Sequence, residues 1–285
     1  MKIKIQLIKI SKIIGIILVF LYVVLCSLIY FYQEKLIFVP TKLTADYKFD
    51  FKGNFEEINL KTIDGVSLNN LLFKADSTKG IIFYLHGNGG SLEGYGKQAD
   101  FYTNLGYDIF MTDYRGYGKS EGSIKSESQL YQDNQMLYDE LKKTYSEDNI
   151  IIVGYSLGGS MASKLASSNN PKYLILQAPY CGGEDYDTRP KESSNVPLEV
   201  KIAKLLPLNL LIRYTFKTNE FIKNCKMPVL IFHGDADDEI HYGSSIKLKE
   251  NFKPEDKLIL LEGEKHNTIG ENPIYQKELK KLLKN

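Results

Sequence analysis

Residue types that mark metal sites, disulfide scaffolds and nucleic-acid interfaces are scarce in this 285-residue sequence. Its three cysteines, Cys26, Cys181 and Cys225, lie far apart without a CxxC pair, so the sequence predicts neither a structural zinc site nor a disulfide framework. Tryptophan is absent, a bias typical of AT-rich genomes. The 36 basic and 35 acidic side chains nearly cancel, and after the first dozen residues no basic run is interleaved with aromatic residues. Nucleic acid is therefore not an expected partner.

The chain does have enough apolar material for a large core. Hydrophobic residues make up 43% of it and charged residues 25%, which is ordinary for a globular protein. No internal repeat or low-complexity tract interrupts it. One large α/β domain is the simplest interpretation.

The first forty residues differ from the rest. From Ile13 to Tyr32 the chain carries no charge, and a helix of roughly 20 residues at about 1.5 Å rise spans a hydrocarbon core of about 30 Å. The segment continues into "YFYQEKLIFVP" without a small-x-small cleavage site. An uncleaved membrane anchor is therefore predicted rather than a signal peptide.

The charges that flank this segment predict its orientation. Lys2, Lys4, Lys9 and Lys12 precede it, whereas only Lys35 follows immediately. The positive-inside rule then predicts a single-pass protein with a cytoplasmic N-terminus and a soluble domain outside the cytoplasm. The predicted division is a basic N-terminus over residues 1–12, an anchor over 13–32, a juxtamembrane linker over 33–54 and the soluble domain over 55–285.

The soluble part begins with a predicted antiparallel hairpin. The stretch "FEEINLKTIDGVSLNNLLFKA" alternates apolar and polar residues around Asp64-Gly65. That dipeptide suits the positive φ values of a two-residue hairpin turn.

Short apolar runs then alternate with longer amphipathic ones, which predicts buried parallel strands separated by helices in a doubly wound α/β sheet. The predicted strands are Ile81–Leu85, Tyr107–Thr112, Asn149–Val153, Tyr173–Gln177, Pro228–Phe232 and Lys257–Leu261. The predicted helices are Ser91–Leu105, Ser126–Lys142, Ser156–Ser167, Gly243–Asn251 and Pro273–Leu283. The stretch 181–224 breaks this alternation, and we interpret it as an inserted lid.

A GxSxG motif lies in "IIIVGYSLGG", directly after a β-rich run and before a segment that suits a helix. This context is typical of a nucleophile elbow, in which Gly154 and Gly158 remove Cβ atoms that would clash and leave the Ser156 hydroxyl exposed. The alternative is that Ser156 only caps the following helix.

A nucleophilic serine needs a base and an orienting acid. His266 follows the last predicted strand in "LEGEKHNT", where the chain order Ser, Asp, His requires the base. His86 and His233 precede glycines at strand ends and are expected to brace turns, and His241 is expected at the surface. The acid comes from "HGDADDEI", and the residues alone leave the choice open among Asp235, Asp237, Asp238 and Glu239.

Five motifs together resemble the α/β-hydrolase superfamily in order and spacing. They are "YLHGNGG", "DYRGYGKSEG", "GYSLGG", "PVLIFHGDADDEI" and "GEKHNT". The resemblance runs from "YFYQEKLIFVP" to "GEKHNT" and is greatest to the membrane-anchored serine hydrolases of the serine-aminopeptidase-like branch, a group related to protein depalmitoylases. It implies an α/β-hydrolase fold for the soluble domain, with the lid inserted into it.

The resemblance also implies roles for single residues. Ser156 would be the nucleophile, His266 the base and Asp237 the acid, with Asp235 as second choice. The backbone N–H groups of Asn88 and Leu157 would form the oxyanion hole. Arg115 would pair locally with a carboxylate. The sequence departs from the family pattern at Ser91 and His241. These departures imply a different rim of the pocket but leave the triad unchanged.

The expected activity is hydrolysis of a carboxylic ester or thioester through an acyl-enzyme, with a small-molecule or acylated substrate and without cofactor or metal. One alternative is an aminopeptidase that recognises a free amine through acidic residues of the lid, and another is a non-catalytic anchored binding protein. The lid acids are Glu184, Asp185, Asp187 and Glu192. Apolar lid residues suit acyl chains or pack on the sheet; they are Leu205, Leu206, Leu208, Leu210, Leu211 and Ile212.

Overall fold

The buried apolar runs of the sequence form an eight-stranded sheet. The computed structural model describes residues 2–182, 201 and 205–284. Its strands are β1 (Val39–Pro40), β2 (Asn54–Lys61), β3 (Ser67–Lys74), β4 (Ile81–Leu85), β5 (Gly89–Gly90), β6 (Asp108–Thr112), β7 (Ile150–Tyr155), β8 (Tyr173–Gln177), β9 (Val229–Gly234) and β10 (Lys257–Leu261). The strand order of the large sheet is β10-β9-β8-β7-β4-β6-β3-β2.

Strand burial agrees with the mainly parallel order of this sheet. All five residues of β4 are buried, as expected for a strand covered on both faces. From β10 to β6 every neighbouring pair is parallel, and only the two pairs at one edge, β6 with β3 and β3 with β2, are antiparallel. The predicted doubly wound α/β fold is confirmed.

Helices fill the connections between the strands. They are α1 (Lys2–Ile37), α2 (Leu92–Tyr95), α3 (Ala99–Thr103), α4 (Glu127–Leu141), α5 (Gly158–Ser168), α6 (Leu208–Leu211), α7 (Thr218–Ile222), α8 (Gly243–Lys249) and α9 (Pro273–Leu282). Side-chain caps start two of them. Ser126 accepts from the Gln129 amide before α4, and Asn272 accepts from the Ile274 amide before α9, which has proline in its first turn.

The helix predicted over Ser91–Leu105 is instead divided into α2, a 3-10 turn at Gly96–Gln98 and α3. Glycine is a poor helix former, and two glycines fall in this stretch. Gly96 also lies so close to Phe51 that an added Cβ would come within 2.4 Å of its ring. Packing therefore requires glycine at a position where a continuous helix would favour another residue.

The predicted hairpin is present, but its turn is longer than the two residues expected. The Thr62 amide donates to the Val66 carbonyl at 2.9 Å, so these two residues still pair and the loop between them is residues 63–65. Gly65 donates to the Thr62 carbonyl and has φ 82°. These are the features of a three-residue hairpin loop that ends in a left-handed glycine. The Thr62 hydroxyl, bonded to Asp64 at 2.6 Å, stabilises the longer turn.

The chain divides into two compact units. The helical unit comprises residues 1–37 and 195–213, and the sheet unit comprises residues 38–194 and 214–285. Within the helical unit, Gln6–Ile37 is long and apolar enough to cross a membrane. Helix α1 continues past the uncharged segment into the predicted linker, since Gln33, Glu34 and Lys35 are good helix formers.

An ion-pair cluster joins the hairpin of the sheet unit to its helix α4. The guanidinium of Arg115 binds both carboxylate oxygens of Asp133, at 2.6 and 2.8 Å, and both of Asp64, at 2.7 and 2.6 Å. Arg115 and Asp133 are buried. Burial raises the pKa of Asp133, while the hydrogen bond from Arg115 lowers the pKa of the exposed Asp64. The cluster is a bidentate clamp on two carboxylates.

We expect Arg115→Leu to lower the free energy of unfolding by about 3–5 kcal/mol, because it leaves the Asp133 carboxylate buried without its partner. The matched control is Lys143→Leu, which breaks an exposed ion pair with Glu140 and is expected to cost less than about 1 kcal/mol. Urea unfolding of the two variants measures both values. Equal losses would contradict a structural role for the clamp.

Candidate active site

The topology of the sheet unit brings two loops together at one point. Strand β4 lies between β6 and β7 in the sheet. The chain passes from β4 to β6 on one side and later to β7 on the other side, so the strand order reverses at β4. Loops at the carboxyl ends of strands next to such a reversal form the usual crevice of an open α/β sheet. Leu85 at the end of β4 lies in register with Gly154 of β7. The loop His86–Gly90 and the residue Ser156 therefore emerge side by side.

Ser156 lies on a tight turn between β7 and α5. Its φ of 52° is in the left-handed region, which is unusual for a residue other than glycine. Its amide donates to the Gln177 carbonyl at 2.8 Å, and its carbonyl accepts from the Gly159 amide at 2.9 Å. These two bonds hold the strained conformation in place.

Two glycines of the motif make this turn possible. A Cβ added to Gly158 would lie 2.1 Å from the Leu85 carbonyl oxygen, and one added to Gly154 would lie 2.6 Å from the Cβ of Ala162. The strand and helix can thus approach closely only because both positions lack a side chain. Since Ser156 precedes helix α5 by two residues and carries this backbone geometry, the local structure is that of an elbow rather than of a helix cap.

Three side chains form one hydrogen-bonded chain beside this turn. His266 Nε2 lies 2.9 Å from Ser156 Oγ, and His266 Nδ1 lies 2.7 Å from Asp237 Oδ2. All three residues are buried. Asp237 follows β9 and His266 follows β10, so neighbouring parallel strands deliver the acid and the base to the same edge of the sheet.

The surroundings of Asp237 keep its carboxyl group ionised. Burial by itself would raise the pKa of Asp237, but hydrogen bonds from His233 and His266 outweigh burial and hold the pKa below its ordinary value. The amides of Glu239 and Ile240 donate to its Oδ1 at 2.9 and 2.8 Å. An ionised Asp237 can only accept, so His266 Nδ1 is the donor and Nε2 is free to accept from the serine.

His233 contributes to the site in a way that the sequence did not reveal. Its Nε2 lies 2.8 Å from the Ile240 carbonyl and 3.2 Å from Asp237 Oδ2, and its Nδ1 lies 2.6 Å from Ser245 Oγ. Because a carbonyl only accepts, Nε2 carries the proton and Nδ1 accepts from the serine hydroxyl. The signal available in the sequence was its position four residues before Asp237.

The other acids of the loop have different positions. Asp235 Oδ1 accepts from the Gly263 amide at 2.7 Å, which ties the loop after β9 to the loop after β10. Glu239 lies at the opening of the site, with Oε2 at 3.9 Å from His266 Nε2. Asn267 donates to Glu239 and accepts from the Tyr155 hydroxyl, both at 2.6 Å. The structure thus brings Asp237, and not Asp235, to the histidine.

The His86–Gly90 loop is held by a strand at the start of the sheet unit. Strand β1 pairs with β5, and the Val39 amide donates to the Asn88 carbonyl at 2.8 Å. The Tyr117 hydroxyl donates to the same carbonyl at 2.6 Å. Among the described residues, neither the Asn88 amide nor the Leu157 amide donates to a protein acceptor. Two fixed backbone N–H groups are therefore available next to Ser156.

Two buried side chains, His86 and Asp113, lie next to each other under the His86–Gly90 loop. Burial lowers the pKa of His86 and raises that of Asp113, and 3.7 Å separates His86 Nε2 from Asp113 Oδ1. His86 stacks on Tyr95 and lies against Tyr114. Asp113 accepts from the Leu92 amide at 3.0 Å. The pair thus lies under the loop in buried surroundings that disfavour the charged form of each group.

A cavity of about 680 Å³ opens beside Ser156 and His266. This volume is in the range of small-molecule sites. Aromatic and apolar side chains form much of the wall, and amides and charged groups the rest. They are Tyr84, Tyr95, Phe101, Tyr155 and Ile269, then Gln98, Gln177 and Gln276, and Lys97, Glu239 and Glu271.

The two positions that depart from the family pattern take ordinary places. Ser91 is buried in the cavity wall before α2. His241 accepts from the Gly243 amide at 3.0 Å and packs against the Tyr242 ring at the start of α8. The predicted lid acids, residues 184, 185, 187 and 192, lie outside the described residues.

Known proteins have sequences similar to part of this chain. The chain is 28% identical over 215 residues to the human alpha/beta hydrolase domain-containing protein 17C. The matched region covers 73% of this chain and 59% of the relative. It is also 28% identical to protein bem46 of Schizosaccharomyces pombe, over 66% of this chain and 62% of the relative. The chain spans about three fifths of the length of these curated relatives.

Solved structures share the fold at lower identity. An esterase of Pyrococcus furiosus, Pf2001, superposes with a TM-score of 0.65 at 18% identity, over 86% of this chain and 98% of that one. An α/β-hydrolase of Vibrio vulnificus has a TM-score of 0.63 at 22% identity, over 81% of each chain.

A family model described as serine aminopeptidase, S33, matches residues 76–225, just over half of the chain. The match includes the His86–Gly90 loop and the serine elbow. The chain is an α/β-hydrolase and belongs to the serine aminopeptidase S33 family.

Proposed function

We propose that the protein is a serine hydrolase that cleaves carboxylic esters or thioesters through an acyl-enzyme. The observation that carries this proposal is the chain from Ser156 through His266 to Asp237, with contacts of 2.9 and 2.7 Å, at the wall of a cavity. The family match supports hydrolysis, and a fold neighbour named as an esterase supports this type of bond.

In the proposed reaction, His266 Nε2 takes the proton of Ser156 as Oγ attacks the carbonyl carbon of the substrate. The tetrahedral intermediate collapses when His266 returns this proton to the leaving alcohol or thiol. Water then attacks the acyl-serine with His266 again as the base, and the acid product leaves. Asp237 holds the imidazole orientation and stabilises its charge in both halves.

The developing oxyanion would be bound by the amides of Asn88 and Leu157. Donors of this kind are effective because they are already oriented before the charge appears, and removal of one typically costs about 10²–10³ in rate. The bonds from Val39 and Tyr117 to the Asn88 carbonyl support this orientation.

We place this activity at a membrane. Helix α1 has the length and composition of a spanning helix, and the lysines before it favour a cytoplasmic N-terminus with the sheet unit outside the cytoplasm. The proposed substrate is a small molecule or an acylated molecule that fits the cavity beside Ser156.

An aminopeptidase is the second candidate, because one carboxylate lies close to the reactive groups. Glu239 is 3.9 Å from His266 Nε2 and lines the cavity. A carboxylate in this place could bind the free amine of a short peptide. Since the same group already accepts from Asn267, its position also has a structural explanation.

We expect Ser156→Ala to abolish labelling by a fluorophosphonate probe and to lower hydrolysis of p-nitrophenyl butyrate by about 10⁴–10⁶-fold, because the nucleophile is lost. Ser160→Ala, on the next turn of α5, is the matched control and should keep both signals. Labelling that persists in Ser156→Ala would remove Ser156 from the reaction, and an inactive but folded wild type would favour a non-catalytic binding protein.

Asp237→Asn should lower kcat by about 10⁴-fold, because the amide no longer holds His266 in the required tautomer. Asp235→Asn should keep kcat within about a factor of ten, since an asparagine oxygen still accepts from the Gly263 amide. Steady-state kinetics on one ester compares the two. If Asp235→Asn were the more damaging change, the acid would have to be reassigned.

Competing substrates separate the two candidate activities. We expect p-nitrophenyl esters to be hydrolysed faster than aminoacyl p-nitroanilides, and Glu239→Gln to leave kcat/KM for the esters nearly unchanged. Preferred turnover of the aminoacyl amides, with a large loss of kcat/KM for them alone in Glu239→Gln, would support the aminopeptidase instead.

A further inference from the structure

An uncharged segment of the predicted lid packs along the long helix. Residues Leu205–Ile212 read "LLPLNLLI", and we call them the lid arm. They belong to the helical unit, and α6 within the arm contacts α1. Leu205 and Leu210 are 76% and 74% exposed. An apolar surface of this kind, continuous with the exposed apolar face of α1, is typical of contact with lipid or a partner.

Side chains of α1 bind the arm at both ends. The Tyr22 hydroxyl donates to the Leu205 carbonyl at 3.3 Å. The Gln33 side chain donates to the Leu211 carbonyl at 3.1 Å and accepts from the Arg213 amide at 2.7 Å. Tyr22 and Gln33 are eleven residues apart, or about 16 Å along a helix. The arm therefore runs beside the C-terminal half of the predicted span and reaches its middle.

These contacts also provide hydrogen-bond partners for backbone N–H and C=O groups of the arm. Such partners are required in lipid, where water cannot bind these groups. Irregular backbone is stable at membrane depth only where protein groups bind its N–H and C=O groups. In addition to the bonds from α1, the Leu210 amide donates to Pro207 at 2.9 Å and the Ile212 amide donates to Leu208 at 2.8 Å. Gln33 itself is only 4% exposed, although most of α1 is exposed.

The polar end of the arm coincides with the polar end of the helical span. Arg213, the first charged residue after the arm, pairs with Glu34 and lies over the Tyr30 ring at 5.3 Å. Aromatic rings and charged side chains of this kind are enriched at membrane interfaces. Both segments thus change from apolar to charged at the same level.

We propose that the lid arm is a second lipid-embedded segment, which lies beside α1 with Leu205 and Leu210 against the acyl chains of the bilayer. The proposal rests on the proposed membrane anchorage by α1. It assigns a function to residues of the lid that the hydrolytic mechanism does not use.

The absence of tryptophan makes a direct test possible. Leu210→Trp and Leu205→Trp each place a single indole on the arm of the full-length protein. Leu18→Trp places one in the middle of α1, and Ile63→Trp places one at the hairpin tip, where Ile63 is 90% exposed. Each variant is reconstituted into phosphatidylcholine vesicles with and without brominated acyl chains. Fluorophosphonate labelling equal to that of the wild type identifies variants that have folded.

We expect blue-shifted emission that brominated lipid quenches for both arm positions and for Leu18→Trp, and solvent-like, unquenched emission for Ile63→Trp. Bromines near the chain ends should quench Leu205→Trp more strongly, and bromines near the headgroup should quench Leu210→Trp more strongly, because Leu205 lies at the level of Tyr22 and Leu211 at the level of Gln33.

Three results would overturn the proposal. Quenching of Leu18→Trp without quenching of either arm position would reject the lid arm alone and leave the anchor intact. Blue-shifted arm emission that lipid bromines do not quench would show that protein, such as a second copy of this chain, covers the arm. No quenching of Leu18→Trp would reject the anchorage by α1 and the arm together.

Discussion

The Asp237 carboxylate is buried and ionised, and such a group is stable in a protein interior only where hydrogen-bond donors replace its lost water. Four N–H groups do so here. The amides of Glu239 and Ile240 bind one oxygen, and the imidazoles of His233 and His266 bind the other. Because these donors fix the position of the carboxylate, the carboxylate fixes the tautomer and orientation of His266. The proton transfer proposed for Ser156 depends on that orientation.

The parallel sheet makes this arrangement possible over long sequence separations. The carboxyl ends of β4, β7, β9 and β10 lie along one edge, and each contributes one element of the proposed site. The backbone strain at Ser156 is maintained because most residues of β7 and α5 are buried. The pair His86 and Asp113 differs from Asp237, because burial under the loop disfavours the charged form of both groups.

Much of this could be predicted from the sequence, because strands buried on both faces read as uninterrupted apolar runs and an elbow requires small residues at fixed positions. The sequence placed Ser156 on a turn and His266 after the last strand for these reasons. It left four acids open, because side chains in one loop follow no period that distinguishes Asp235 from Asp237. The contact of His233 with Asp237 and the packing of the lid arm on α1 depend on tertiary structure, which local patterns do not encode. The three-residue hairpin loop likewise depends on the Thr62 hydroxyl.

The pairing of β1 with β5 determines where a version of this chain without helix α1 can begin. Helix α1 ends at Ile37, and two residues later the Val39 amide is bound to the loop that carries Asn88. Thr41 and Leu43 continue the same attachment through the Gly90 and Gly118 carbonyls. Truncation before Phe38 keeps these bonds, whereas truncation a few residues later removes them together with α1. The end of α1 and the strand that holds the Asn88 loop are thus consecutive in the chain.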